Sequence, residues 1–310
     1  MANFKKLSFE ELYNSTTMFY VNPVCEAKIQ QMIDDKTNAI LAGVGTITSK
    51  ATLKQYIITH SDSLDQLLSV TEISTERFKR IVSMIRKDRG YVFTSEWSLK
   101  KVRNAMLESP AMMETILNLL WDGKNDPKMK KCIPAFYLEN MTIDAPTLAK
   151  LQNRDSVRQL AKRSLEGTYS NMIGDSILCT IENKLNRICA QYGLTYEKGV
   201  RVPLIDKAVS FVLESRNSPK LILDVSYNVT TSSSQGNVKE AARKIERTLK
   251  KEQQSGKKII YVNFLDGAGW IGRQADMKEI HRCSDYVLNF ENIGLLEDII
   301  EANLDKFTTP

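Results

Sequence analysis

Lys220 to Asn237 reads KLILDVSYNVTTSSSQGN, and the architecture of the chain follows from this stretch. Leu221, Leu223, Val225, Tyr227 and Val229 alternate with Ile222, Asp224, Ser226 and Asn228, the period of two that marks a β-strand. Asp224 and Ser226 therefore share one face. A carboxylate on an otherwise apolar strand is costly unless it is paired or holds a cation. Asp224 is thus either tethered to a neighbour or a cation ligand. The strand runs out into Thr230–Ser234, then Gln235-Gly236-Asn237. An amphipathic helix is expected from Val238 to about Gln253, with Asn237 as its N-cap and Ala241, Ala242, Ile245 and Leu249 on its buried side.

Upstream, Ile173, Ile177, Ile181, Leu185 and Ile188 recur at helical spacing, and Gly193 stops that helix. Asp175 and Glu182 border its apolar stripe. Leu194–Val202 and Pro203–Leu213 read as two strands, with Val209, Phe211 and Leu213 alternating against Ala208, Ser210 and Val212. Asp206 has the parity of Ala208 and Ser210. Asn217-Ser218-Pro219 is a turn. Downstream, Lys258–Phe264 reads as a buried strand, Asp266-Gly267-Ala268-Gly269-Trp270 as a glycine-rich turn, Tyr286–Phe290 as an edge strand and Leu295–Leu304 as a closing helix. The order helix, three turn-linked strands, helix, strand makes a mixed sheet with helices on both faces, an α/β class. It is the core arrangement of the PD-(D/E)xK nucleases, in which carboxylates on adjacent strands hold one or two Mg²⁺ ions.

The remainder bounds the function. A chain of 310 residues, 42% hydrophobic and 26% charged, has the composition of an ordinary soluble globular protein of one large or two smaller domains. No apolar run reaches membrane length and the N-terminus has no signal-peptide pattern, so a cytoplasmic protein without a membrane partner is expected. Cys25, Cys132, Cys179, Cys189 and Cys283 are scattered and form no CxxC pair, and the only histidines are His60 and His281. Disulfide frameworks, zinc sites and histidine-based catalysis have little material here. A net charge of +6 permits a nucleic-acid partner without requiring one.

Residues 1–165 read as a mostly helical domain and 166–310 as the sheet domain. Within the first, Leu64, Leu67 and Leu68 face one way on a short helix. Ser74 then precedes Phe78, Ile81, Val82 and Ile85, with Arg77, Lys79, Arg80, Arg86 and Lys87 on the remaining positions. Two short helices with a basic second member fit either a helix-turn-helix or a helical hairpin with a solvated face. Phosphate contact is expected from this face in both cases. The helix after the central strand has its own cationic side, including Lys239 and Arg243, whose N-terminal end would favour phosphate.

LILDVSYNVTTSSSQ, the preceding KAVSFVL, the later FLDGAGW and the helix NMIGDSIL resemble the DpnII/MboI-type restriction endonucleases over about residues 170 to 275. The resemblance implies a type II restriction enzyme of a restriction-modification system. Such an enzyme cuts duplex DNA with Mg²⁺, acts as a homodimer on a palindromic site and works beside a cognate DNA methyltransferase. The sequence departs from that family at Ser210, where the family has Asp, and at Asp224, where it usually has Glu; Ser226 stands where the general motif has lysine. The expected site is Asp206 and Asp224 as metal ligands with Glu182 as a third, and Ser226, Gln235 and the Ser/Thr loop positioning water or phosphate. The alternative is a non-catalytic, sequence-specific DNA-binding protein on a decayed nuclease fold.

Overall fold

The structure is a computed structural model that describes residues 5–71 and 73–308. Its contacts divide the chain into two compact units, residues 1–22 with 171–310 and residues 23–170. The reading of the sequence had put the first 22 residues with the helical domain and the boundary at 165.

The first short helix, α1 (Phe9–Asn14), carries a capping box. The Ser8 hydroxyl accepts from the Glu11 backbone N–H, and the Glu11 carboxylate accepts from that of Ser8. Its Leu12 is fully buried in the core of the sheet unit.

The helical unit holds α2 (Pro23–Ala42), α3 (Lys50–Thr59), α4 (Ser63–Val70), α5 (Thr75–Asp88), α6 (Leu99–Glu108), α7 (Pro110–Asp122), α8 (Pro127–Cys132), α9 (Ala135–Met141), α10 (Ala145–Lys150) and α11 (Arg154–Ser164). Most starts are written in the sequence. Ser49, Ser74, Ser98, Ser109, Asp126, Asp144 and Asn153 each cap a helix with their side chains, satisfying amides that would otherwise lack partners. α11 packs on α2 and α4. α5 buries Phe78, Ile81, Val82 and Ile85, as its spacing predicts.

α12 (Glu166–Tyr192) buries Ile173, Ile177, Ile181, Leu185 and Ile188 and stops before Gly193, which has φ +65°. The sheet follows: β1 (Tyr196–Val202), β2 (Lys207–Ser215), β3 (Ser218–Tyr227), then α13 (Ser233–Gln254), β4 (Ile260–Asp266), α14 (Ala268–Ile271), α15 (Gln274–Cys283), β5 (Tyr286–Leu288), α16 (Leu295–Glu301) and α17 (Leu304–Thr308). The strands lie in sequence order. β1–β2 and β2–β3 are antiparallel, β3–β4 and β4–β5 parallel. The α/β class and mixed sheet expected from the sequence are present. β4 is buried along its whole length, as a strand covered on both faces must be. One core joins Ile222 and Tyr261 of the sheet to Ala242, Ile245 and Leu249 of α13 and Met277 and Ile280 of α15.

Two local expectations are corrected. Residues 203–205 form a 3-10 turn and not the start of β2, with Asp206 behind it in the left-handed region at φ 49° and ψ 40°. α13 begins at Ser233, not Val238. Its cap is Ser232 with Gln235 in a capping box, and Asn237 lies inside the helix.

Candidate active site

β2 and β3 pair from Ser215 opposite Ser218 to Phe211 opposite Leu223. There the ladder ends, and the Ser210 hydroxyl accepts from the Val225 amide across the opening at 3.1 Å. β3 stays paired with β4 on its other side as far as Tyr227 opposite Asp266. The strands thus part at Asp224. Its side chain is 13% exposed, and Lys207, the first residue of β2, donates its ammonium to the Asp224 Oδ2. By alternation Asp224 lies on the face of Ile222, the face covered by α13 and α15. Asn263 of β4 is in register beside it. Asn263 is fully buried; its amide nitrogen donates to the Ser284 hydroxyl, and its Oδ1 has no hydrogen-bond partner.

The other two expected metal ligands lie elsewhere. Asp206 is not on the strand face, because the left-handed turn breaks the period of two before β2 begins. Its side chain is 84% exposed, and Oδ1 accepts from Arg201 Nε and Nη2 at 3.0 and 2.6 Å. Glu182 pairs with Lys198 of β1 and accepts from the Tyr196 hydroxyl. The Tyr196 ring packs edge-on against Phe211, whose register partner Leu223 has the opposite parity to Asp224. Glu182 therefore works on the other face of the sheet. Asp175 is exposed on α12. Among the described residues no group of three or more His, Cys, Asp or Glu side chains is placed to hold a metal ion. The three-acid site expected from the sequence is not formed.

What remains is one carboxylate at the parting of two strands, with an unpartnered buried oxygen on the adjacent strand. Magnesium is commonly held by one or two carboxylates, its other positions taken by water and substrate phosphate. Asp224 supplies one carboxylate for such a site, and its register partner Asn263 supplies a buried amide oxygen without a hydrogen-bond partner.

The loop that follows β3 is built inward. The Ser226 hydroxyl accepts from the Asn228 amide, the Asn228 Oδ1 accepts from the Ser234 hydroxyl, and the Ser226 carbonyl accepts from Trp270 Nε1. Gln235 is fully buried, its Oδ-like amide oxygen (Oε1) accepting from Ser232 N and its Nε2 donating to the Thr230 carbonyl. Both ends of Gln235 are thus spent on the loop, and the role of positioning water is corrected to a structural one. The glycines of the 266–270 turn admit that loop closely. A Cβ on Gly267 would lie 2.4 Å from the Asn228 carbonyl oxygen, and one on Gly269 2.5 Å from that of Thr230. Asp266 is fully buried and accepts from the Thr17 amide and hydroxyl, the Gly267 amide and the Phe290 amide. Burial raises its carboxyl and these donors lower it, with burial prevailing.

The basic faces divide. On α5, Arg86 is buried, stacked 3.8 Å from the Phe93 and Trp97 ring centroids, and bonded to the Ser95 carbonyl; it belongs to the core of its unit. Arg77 lies over the Tyr137 ring. Arg80 is exposed and lies 3.9 Å from the Glu96 carboxylate, Lys87 is exposed and Lys79 half-buried. On α13, Lys239 pairs with Asp276 and Arg243 with Glu279, both from α15. The two cations expected to meet phosphate are thus each paired with an acid in the folded chain.

Fold and site together are those of an α/β protein with a single acid set at a strand opening. Residues 149–303 match the family BanI C-terminal domain. That is half of the chain, and the chain belongs to this family, one of type II restriction endonucleases. The restriction-endonuclease class agrees with the resemblance drawn from the sequence, and the family whose model matches is BanI. No curated protein matches the chain. No helix among the described residues is long and apolar enough to cross a membrane.

Proposed function

We propose that the protein is a type II restriction endonuclease making Mg²⁺-dependent double-strand breaks in DNA at a short specific sequence. It would act as a homodimer in the cytoplasm, beside a cognate methyltransferase. The family membership supports the class. The single observation that carries the site is Asp224, nearly enclosed yet at the point where β2 and β3 open, on the third of three consecutive antiparallel strands before a helical crossover. That topology supports the PD-(D/E)xK reading.

In this proposal Asp224 would hold the magnesium ion, with Asn263 its register partner on the adjacent strand. The bound ion would supply positive charge against the developing charge on phosphorus. The chain's own groups bind and orient: Lys79, Arg80 and Lys87 attract the duplex through its phosphates, and the inward-bonded loop of Ser226, Asn228 and Ser234 keeps the exit of β3 rigid. Phage DNA incubated with the protein and Mg²⁺ should yield discrete fragments. A smear would mean an unspecific nuclease, and intact DNA would remove the reading.

Two observations favour the second reading, a sequence-specific binding protein on a decayed nuclease fold. Three acids do not converge, and Ser226 stands two residues after Asp224 in place of lysine. Retarded bands in a gel without cleavage at any divalent-ion concentration would establish it.

A further inference from the structure

We propose that Lys207 is the catalytic cation of this site, standing in from β2 for the lysine that β3 lacks. The inference rests on the nuclease reading above and deepens it. Ser226, on the face of Asp224 and two residues beyond it, is uncharged and has its hydroxyl engaged by the Asn228 side-chain amide, so that position of β3 supplies no cation. Lys239 and Arg243 of α13 are committed to Asp276 and Glu279. Arg201 is committed to Asp206, and Lys198 to Glu182. The cation that reaches Asp224 is Lys207, and it is the one partner the carboxylate has among the described hydrogen bonds.

Its placement suits a group that acts on a third party. Lys207 is the first residue of β2, after the left-handed turn at Asp206, and reaches towards β3 where the ladder has ended. Its side chain is 31% exposed against 13% for Asp224. The lysine is thus the solvent-side member of the pair. A phosphate entering the opening meets the ammonium before it meets the carboxylate. With a divalent ion held on Asp224, the Lys207 ammonium would be released from the carboxylate and, within a side chain's reach, would contact a phosphate oxygen. In the step it assists, water oxygen bonds to phosphorus, and the bond from phosphorus to the leaving deoxyribose oxygen breaks with its electron pair. Water's proton passes to solvent, and the leaving oxygen takes one from solvent. Lys207 keeps its protons throughout and offsets charge on the phosphoryl oxygens, the kind of stabilisation that a preorganised donor provides.

The test uses the full chain and phage DNA. Cleavage in Mg²⁺ at saturating protein, DNA retention in Ca²⁺ and the thermal midpoint are measured for wild type, Asp224→Asn, Lys207→Met, Lys207→Gln and Lys207→Met with Ser226→Lys. Lys207→Gln keeps a hydrogen-bond donor for Asp224 but no charge. The expected result is a loss of roughly 100-fold or more in rate for Lys207→Met and Lys207→Gln, with DNA retention and midpoint near wild type. At least a tenfold recovery is expected when Ser226→Lys returns a cation to the same face. Either neutral variant cutting within about threefold of wild type, while Asp224→Asn is dead, overturns the assignment alone. Failure of both neutral variants to fold overturns it too, because Lys207 is then a structural partner of Asp224. An uncut substrate with wild type, or full activity in Asp224→Asn, removes the nuclease reading itself and this assignment with it.

Discussion

Asp224 is the residue on which the chemistry turns, and its surroundings say what its removal does. A carboxylate this enclosed needs a counter-charge, and Lys207 supplies it. Asp224→Asn keeps the shape and a hydrogen-bond acceptor. It should fold, retain DNA in Ca²⁺ and lose cutting by about 10³-fold; a paired fragment and gel-shift assay reads both. Asp224→Ala strands the Lys207 ammonium and should cost about 1–3 kcal/mol besides, visible as a lower urea midpoint. The glycines of the 266–270 turn give a separate residue-scale prediction. A methyl at Gly269 meets the Thr230 carbonyl and the Gln235 amide, both fixed within the loop. Gly269→Ala should therefore destabilise by about 1–3 kcal/mol and loosen the exit of β3. An unchanged denaturant midpoint would mean that the loop shifts freely.

At the scale of elements, α13 and α15 are joined by ion pairs more than by their cationic or acidic faces taken singly. Lys239 meets Asp276, Arg243 meets Glu279, and Arg282 meets both Glu279 and Glu246. The Arg282 and Arg243 guanidinium groups hold the Glu279 carboxyl down at about 2. A depressed acid stabilises the fold fully above its unfolded value near 4.5 and loses that contribution as pH falls towards 2. Glu279→Gln should thus lower the thermal midpoint at pH 7 by about 2–4 °C, since solvent at the arginines limits the effect to about 1 kcal/mol. The difference from wild type should vanish as pH approaches 2; a constant offset across that window would disprove the linkage. These pairs also explain what the sequence concealed. The strands, the β3 face and the apolar stripe of α12 were legible because each is periodic over its own length. Asp206 was misplaced because a period of two was carried across a 3-10 turn and a left-handed residue. The start of α13 was legible and missed, since Ser232 and Gln235 have the spacing of a capping box. The partners of Lys239, Arg243 and Lys207 lie 37, 36 and 17 positions away, and no local pattern encodes a meeting at such separations.

For the whole molecule, a net charge of +6 matters only where the cations are free to meet phosphate. Each neutralised phosphate contributes about 0.9 to the slope of log affinity against log salt. Replacing Lys79 and Arg80 by Ala should flatten that slope by about 2 if both touch the duplex. Replacing Lys239 and Arg243 should leave it nearly unchanged and lower stability instead, since both already sit against α15 carboxylates. A slope that responds only to the second pair would put the duplex on α13. The stoichiometry follows from the reaction proposed. One chain of 35.2 kDa carries one Asp224 and one opening between β2 and β3. Two strands of a palindromic duplex present two equivalent phosphates related by a two-fold axis, and a closed isologous pair of subunits presents two equivalent sites with the same symmetry. Light scattering should therefore give twice the chain mass, free or on DNA. In a mixture of wild type with excess Asp224→Asn, hybrid pairs should nick one strand, and linear product should fall more steeply than the wild-type fraction. A monomer mass in both states, with linear product falling in proportion to that fraction, would show that a single chain cuts both strands in turn.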